Sequence, residues 1–393
     1  MRKRRITILA ERGGGMLKGY KYRLYPTEAQ ADFLVRTIGC ARFIYNKLLE
    51  DHITIHKEAE AGNEPRRKPP TPASYKPLFP FLCEADSLAL ANAKLHLDAA
   101  FAKFFAGTAG FPVFKSKRRS RASYTTNNQQ GTIRIEGGRI RLPKVGFIRF
   151  KQHRDFDGDI RSATVSMTKT GKFFVSLLVE QADEPWVPAA HRIGIDLGLV
   201  HFASTTNDAL FTEKIPNPRN LRKAEAQLKR AQRALARKKP GSKNREKARI
   251  LLAKRHEQVN NRRHDFLHKL SRRIVDENQV VVVETLRTRE MMQNRRLARS
   301  IGDAGWGEFV RQLAYKWRTH GRTLIKADPW FASTQICSRC GENSGKKGLD
   351  IREWTCVACG AHHDRDVNAS LNLLRLAEEI MSSGQGLPDE LGP

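Results

Sequence analysis

The chain has 393 residues, with 71 Lys and Arg against 41 Asp and Glu, a formal charge of +30. Hydrophobic residues make up 40%, enough to build cores, which excludes disorder throughout. Charge of this size repels itself unless a polyanion neutralises it, so a nucleic-acid partner is expected and a small-molecule metabolic enzyme is disfavoured.

No apolar run approaches the ~20 residues that span a bilayer, so no membrane partner is expected. The start, MRKRRITILAERGGG, imitates an export signal, but its apolar stretch Ile6–Ala10 is shorter than the ~7–15 residues such a signal needs. Residues 1–15 therefore read as a loose basic arm, with Met16 an alternative start. Leu17–Tyr25 alternates as a strand. Pro26, Thr27 and Glu28 open a helical region that runs to about Phe105, broken by six prolines within residues 65–80. From Asp86 onward Leu88, Leu95, Ala99, Ala102 and Phe105 predict one apolar face. After Gly110 come five basic side chains in residues 115–121, then β-prone runs at Thr132–Ile135, Arg139–Leu142, Phe147–Phe150, Ala163–Met167 and Lys172–Glu180. These runs and the first strand predict one β-domain with the helical region inserted.

From Arg192, RIGIDLG reads as a strand and HFASTT as its hairpin partner. Residues 222–263 carry 16 basic and 3 acidic side chains. Leu221, Ala224, Leu228, Ala231 and Leu235, then Leu252, Val259, Phe266 and Leu270, predict a helical hairpin with one apolar seam and a positive outside, suited to nucleic acid. Val280–Val283 reads as a strand buried on both faces of a parallel sheet. Trp306, Phe309, Leu313 and Trp317 mark a helix, and Thr323–Ala327 a further strand, so this region is α/β. The last residues, GQGLPDELGP, look frayed.

Six cysteines do not make a disulfide scaffold. Cys337-x-x-Cys340 and Cys356-x-x-Cys359 have the spacing of a structural zinc ribbon, which points to a reducing cytoplasm. Cys40 and Cys83 read as small buried hydrophobes. Three acids stand at strand or helix ends: Asp196 in IGIDLG, Glu284 after the valines and Asp366 in HHDRDVNAS. Converging at one sheet edge, they would hold Mg²⁺ ions, two of which can drive phosphodiester cleavage. A strand-end Asp beside Gly is also a common turn residue. IGIDLG resembles the phosphate loop of sugar kinases and actin-like ATPases as well. Those expect Ser or Thr soon after the Gly, where Leu199, Val200, His201 and Phe202 stand here.

In chain order GIDLGLVHFAS, VVVETL, MMQNRRLARSIGDAGWGEFVRQL, the paired knuckles and HDRDVNASLNLL resemble the TnpB (OrfB) proteins of insertion sequences, compact relatives of type V CRISPR effector nucleases. YRLYPTEAQ, CARFIYN and GFPVFKSK resemble the same family. The resemblance implies an α+β multidomain chain. It places a RuvC-like nuclease domain of RNase H fold at residues 191–333 and 363–380, with a zinc ribbon inserted at 334–362. It places a β-barrel wedge domain at 16–26 and 111–190, interrupted by a helical recognition domain at 27–110, and leaves a tail at 381–393. It further implies catalytic Asp196, Glu284 and Asp366, the last chosen over Asp364, and a flexible lid around Arg295-Arg296. The implied activity is cutting of double-stranded DNA, directed by a guide RNA from the element's end and a short adjacent motif. Localisation with the nucleoid in the cytoplasm follows. Tyr75, Ser87, Tyr124, Thr126 and Asn127 are candidate readers of that motif, and Arg230, Arg233 and Arg237 candidate RNA contacts. The alternative is a guide-dependent or transposition-accessory binding protein that does not cut.

Overall fold

The computed structural model describes residues 7–9, 16–62, 68–182, 187–348 and 350–382. Most of the expected basic arm and the tail beyond residue 382 lie outside the described residues. The chain forms two compact units, residues 14–183 and residues 1–13 with 184–393.

A short strand, β1 (Thr7–Leu9), belongs to the second of these units. The first begins with β2 (Met16–Tyr25), whose alternation sends Tyr20, Tyr22 and Leu24 inward. α1 (Glu28–Glu60) starts at a capping box. The Thr27 hydroxyl accepts from the Gln30 N–H, and the Gln30 side chain accepts from the Thr27 N–H. α2 (Ser87–Phe105) is capped by Asp86. Six strands follow: β3 (Ala122–Asn127), β4 (Arg134–Glu136), β5 (Arg139–Leu142), β6 (Gly146–Lys151), β7 (Asp159–Met167) and β8 (Phe173–Gln181). They pair antiparallel in the order β3-β7-β8-β2-β6-β5-β4, so β2 sits mid-sheet between strands that follow the helices. Leu34, Leu48, Leu90 and Leu97 join Val175 and Leu177 in one core.

The buried face of α2 differs from the expected one. Ala89, Leu90, Ala93 and Leu97 are buried, whereas Leu95 and Phe105 are exposed. Two apolar stripes compete on this helix, and packing against α1 and β3 buries the one that holds Leu90 and Leu97. β3 was not expected, because its polar ASYTTN lacks apolar alternation.

The second unit contains β9 (His191–Leu197), β10 (His201–Asn207), β11 (Thr212–Pro216), α3 (Asn220–Ala236), α4 (Lys243–Glu277) and β12 (Asn278–Val283). It continues with α5 (Thr288–Met291), α6 (Ala298–Ala304), α7 (Trp306–Thr319), β13 (Thr323–Lys326), β14 (Glu353–Thr355), β15 (His362–Asp364) and α8 (Arg365–Ser382). The main sheet has the order β1-β13-β12-β9-β10-β11. β9, β12 and β13 run parallel, while β10, β11 and β1 pair antiparallel to their neighbours. Val281 and Val283 face a core with Ile274, Trp306 and Phe309. Val280 and Val282 face Leu373 and Ala377 on the other side. That burial on both faces is why the strand is all valine. Thr7–Leu9 is not a loose arm, since this β-prone tripeptide pairs with β13 and forms the edge of the sheet.

α3 and α4 form the basic hairpin, with Leu228, Ala231 and Val259 buried. α3 has no cap from its own flank. Its first N–H groups, those of Leu221 and Arg222, donate to the Asp303 carboxylate on α6, at 2.9 Å for Leu221. Asp303 is buried and also lies 3.5 Å from Arg263. No helix among the described residues is long and apolar enough to cross a membrane.

Candidate active site and metal cluster

The parallel strands of the second unit end at one edge, and the acids gather there. Asp196 is the penultimate residue of β9, Glu284 directly follows β12, and Asp366 is the second residue of α8. α8 lies so close on β9 that a Cβ at Gly194 would collide with the Ser370 carbonyl and the Leu374 nitrogen. Glycine at this position therefore sets how near Asp366 comes to Asp196.

Asp196 is only 8% exposed. Burial pushes its carboxyl well above the usual carboxylate range, and the charges of Glu284 and Asp366 push it further, with Arg365 opposing. Burial also raises Glu284, helped by Asp366, although the Leu197 N–H donates to Glu284 Oε1 at 2.6 Å and favours the ionised form. Arg352 approaches Asp366 at 3.7 Å, from an exposed position. A buried carboxylate with two others beside it needs a cation to stay ionised, and an all-oxygen set is the kind a hard divalent ion takes, though these three do not stand as close together as the four cysteine thiols.

Asp364 is engaged differently. Its Oδ1 accepts from the Asp366 and Val367 N–H groups at 3.1 and 3.0 Å, capping α8, and its other oxygen accepts from Lys214. Burial opposes ionisation, but Lys214 and these N–H donors hold its carboxyl below the usual range. The capping residue is thus Asp364, which leaves Asp366 to face the other acids.

The cysteines form the tighter cluster. The ligand atoms of Cys337, Cys340, Cys356 and Cys359 all lie within 4.8 Å of one another, the one such group among the described residues. Cys337 and Cys359 sulfurs are 3.7 Å apart, as are those of Cys340 and Cys356. A tetrahedron with Zn–S bonds of about 2.3 Å has edges of about 3.8 Å, so the four thiols fit zinc. Two equivalent turns produce this. The Gly341 N–H donates to the Cys337 carbonyl and the Gly360 N–H to the Cys356 carbonyl, both at 2.9 Å, and both glycines have positive φ.

Side chains not singled out in the sequence join the two clusters. Asn368 accepts from the Ser338 N–H at 2.8 Å and donates to the Ile336 carbonyl at 2.8 Å. Asn372, one turn on, donates to the Ser333 and Ile336 carbonyls. His363 Nε2 lies 3.0 Å from the Cys337 sulfur, and its ring packs on Trp354. Thus α8, which carries Asp366, is tied to the first cysteine turn. The signal in the sequence is an Asn pair at i,i+4 on an otherwise apolar helix face.

Comparison with known proteins gives the family of the chain. The OrfB_IS605 family model, described as "Probable transposase", matches residues 176–295, and the Cas12f1-like TNB domain matches residues 306–373. Four curated relatives have names that begin "Putative RNA-guided DNA endonuclease", and two of them match nearly the whole chain. The one from Streptomyces pristinaespiralis is 40% identical over 375 residues, covering 94% of this chain and 92% of its own length.

The chain belongs to the TnpB (OrfB) family.

The second relative, InsQ of Escherichia coli (strain K12), is 29% identical over 395 residues, with 94% of each chain covered. Among solved structures, the Cas12f1 chain of a Cas12f1–sgRNA–target DNA complex shares the α+β fold, with a TM-score of 0.53 and 14% identity over 89% of this chain and 83% of that one. A family helix-turn-helix domain matches residues 16–61, which here form β2 and the single helix α1.

In this TnpB-family chain the remaining candidate residues fall into two groups. Tyr75, Tyr124 and Thr126 are buried. The Tyr75 hydroxyl donates to Asp51, the Thr126 hydroxyl donates to Asp86, and burial pushes the Tyr124 phenol up. Side chains so placed present no free edge to a base in this structure, unlike the other two candidate readers. Ser87 is exposed beside Lys76, and Asn127 is half-buried beside Asn92. Arg230, Arg233 and Arg237 stand exposed along α3. Arg295 and Arg296 line a cavity with Arg219, Arg222 and Arg299, next to Leu199 and Val200 just past the Asp196 strand.

Proposed function

We propose that this chain is an RNA-guided DNA endonuclease of an insertion sequence, cutting double-stranded DNA beside a short motif by metal-dependent hydrolysis. The observation that carries the reading is three carboxylates at one sheet edge, Asp196 buried and Glu284 and Asp366 half-buried, the latter two opposing ionisation of the first. Asp196, Glu284 and Asp366 would hold Mg²⁺ there. A bound ion pair supplies an activated water and stabilises the leaving oxygen. The Leu197 N–H orients Glu284, Asp364 fixes the first turn of α8, and Gly194 sets the spacing between Asp196 and Asp366. The strand order β11-β10-β9-β12-β13, antiparallel then parallel, supports a RuvC-like domain of RNase H fold at residues 191–333 and 363–380.

The four cysteines would hold one structural zinc, in a ribbon at residues 334–362. Residues 16–26 and 111–190 would serve as a wedge domain, and 27–110 as a recognition domain. The +30 charge and the basic hairpin suit a guide RNA, whose pairing reads the target while the protein grips backbone.

The test is to purify the chain with its co-purifying RNA, sequence that RNA, and supply matched duplex with Mg²⁺. Cutting only where the guide pairs is the expected outcome. Sequence-specific cutting by RNA-free protein would leave an unguided resolvase-like enzyme. Guided binding without any cutting would leave the non-cleaving alternative.

A further inference from the structure

β12 and β13 stop at the same edge, and the Ala327 N–H donates to the Val283 carbonyl at 2.9 Å, so the residues after β13 lie beside Glu284. There the chain turns tightly. The Phe331 N–H donates to the Asp328 carbonyl at 2.9 Å with Pro329 inside the turn, and the Trp330 N–H donates to the Asp328 carboxylate at 2.7 Å. The turn separates two aromatic neighbours. Phe331 packs on the core that holds Val280, Ile325 and Leu373, while Trp330 is 76% exposed. Trp306, Trp317 and Trp354, the other tryptophans among the described residues, are buried. Arg287 lays its guanidinium over the Trp330 ring, 4.4 Å from the centroid. Arg287 is three residues past Glu284, so their Cα atoms are at most about 11 Å apart.

An indole left in solvent adds little to folding, yet this one is held by a proline turn, backed by a cation and placed next to the acids. The groups that the structure places against it, Arg287 and Asp328, are both charged, which suits a polyanion better than an apolar protein surface. A flat ring with a guanidinium beside it matches an unpaired nucleobase and its phosphate. A paired base hides its face in the duplex stack, so the ligand is single-stranded. We infer that Trp330 and Arg287 form a stacking platform for one base of the polynucleotide strand presented to Asp196, Glu284 and Asp366. This rests on the nuclease reading above and adds a positioning residue to it, one that sets which phosphodiester meets the acids.

The experiment uses the full chain with its RNA. In an Asp196→Ala background, a single-stranded DNA oligonucleotide of target sequence should quench tryptophan fluorescence, and Trp330→Phe should remove most of that quench. In the active chain, Trp330→Ala should weaken single-strand engagement roughly 5- to 150-fold and spread the cut over neighbouring positions, with Trp330→Phe intermediate. A strand with an abasic site at one position near the cut should reproduce the Trp330→Ala loss and show no further loss with that variant. If the active chain cuts normally while Trp330→Ala matches it in rate, cut position and abasic response, the platform falls and the nuclease reading stands. If the native chain never cuts but Trp330 is still quenched by the strand, the platform stands and the nuclease reading falls.

Discussion

The four thiols lie between Cys337 and Cys359 and already stand at tetrahedral spacing, whereas the carboxylates come from as far apart as Asp196 and Asp366 and repel one another. Two short backbone turns impose the first geometry. Packing of α8 on β9 imposes the second. A closed thiolate site needs only local chain to form and serves structure, while an open carboxylate site depends on everything that seats its elements. Asn368 and Asn372 connect the two, so the local cluster helps to seat the dispersed one.

Removing the acids should have the largest effect. Asp196→Ala, Glu284→Ala and Asp366→Ala should each lower cleavage by roughly 10³-fold or more while guide and target binding persist, measured by cleavage and filter-binding assays. Asp364→Asn keeps an N-cap acceptor and should retain activity. Loss in Asp364→Asn with retention in Asp366→Asn would reverse the two roles. Next, Cys337→Ser or Cys356→Ser should release one zinc per chain and lower both Tm and cleavage, because the turn that anchors Asn368 loses its support. Elemental analysis of the native chain showing less than about half a zinc would argue against the four-thiol site. Gly194→Ala should keep its zinc yet lose about 10²-fold in cleavage, because α8 must shift by around an ångström. Unchanged cleavage would mean that the Asp196–Asp366 spacing is not critical. Smallest of all, Arg230→Glu with Arg233→Glu and Arg237→Glu should touch neither cluster. It should weaken RNA binding about tenfold and lower the salt-dependence slope by roughly two to three, read from affinities across a salt series.

Much of this was legible in residue order. The Val280–Val283 run followed by Glu284 announces a buried strand ending in a charge, and the cysteine spacing announces two turns. The hairpin seam at Leu228, Ala231 and Val259 followed helical periodicity. What stayed hidden depends on partners distant in sequence. Asn368 and Asn372 look like ordinary polar helix residues until the carbonyls of Ser333 and Ile336 are placed against them. Tyr124 and Thr126 look like loop residues until β3 pairs with β7 and turns them inward. On α2 two stripes were equally apolar, and only packing chooses between them.

Asp303 has a consequence for anyone wishing to shorten this chain. Excising the basic hairpin, α3 with α4, is an obvious route to a smaller protein. It would delete the Leu221 and Arg222 N–H donors and Arg263 in one step. Asp303 would lose these partners together with the packing of α3 that covers it, and Leu267, Leu270, Ile274 and Val275 of α4 would leave the core they share with Ile301 and Ala304. A miniature of this chain must therefore keep the base of the hairpin, with Leu221, Arg222 and Arg263 in place on Asp303, and shorten only its far end.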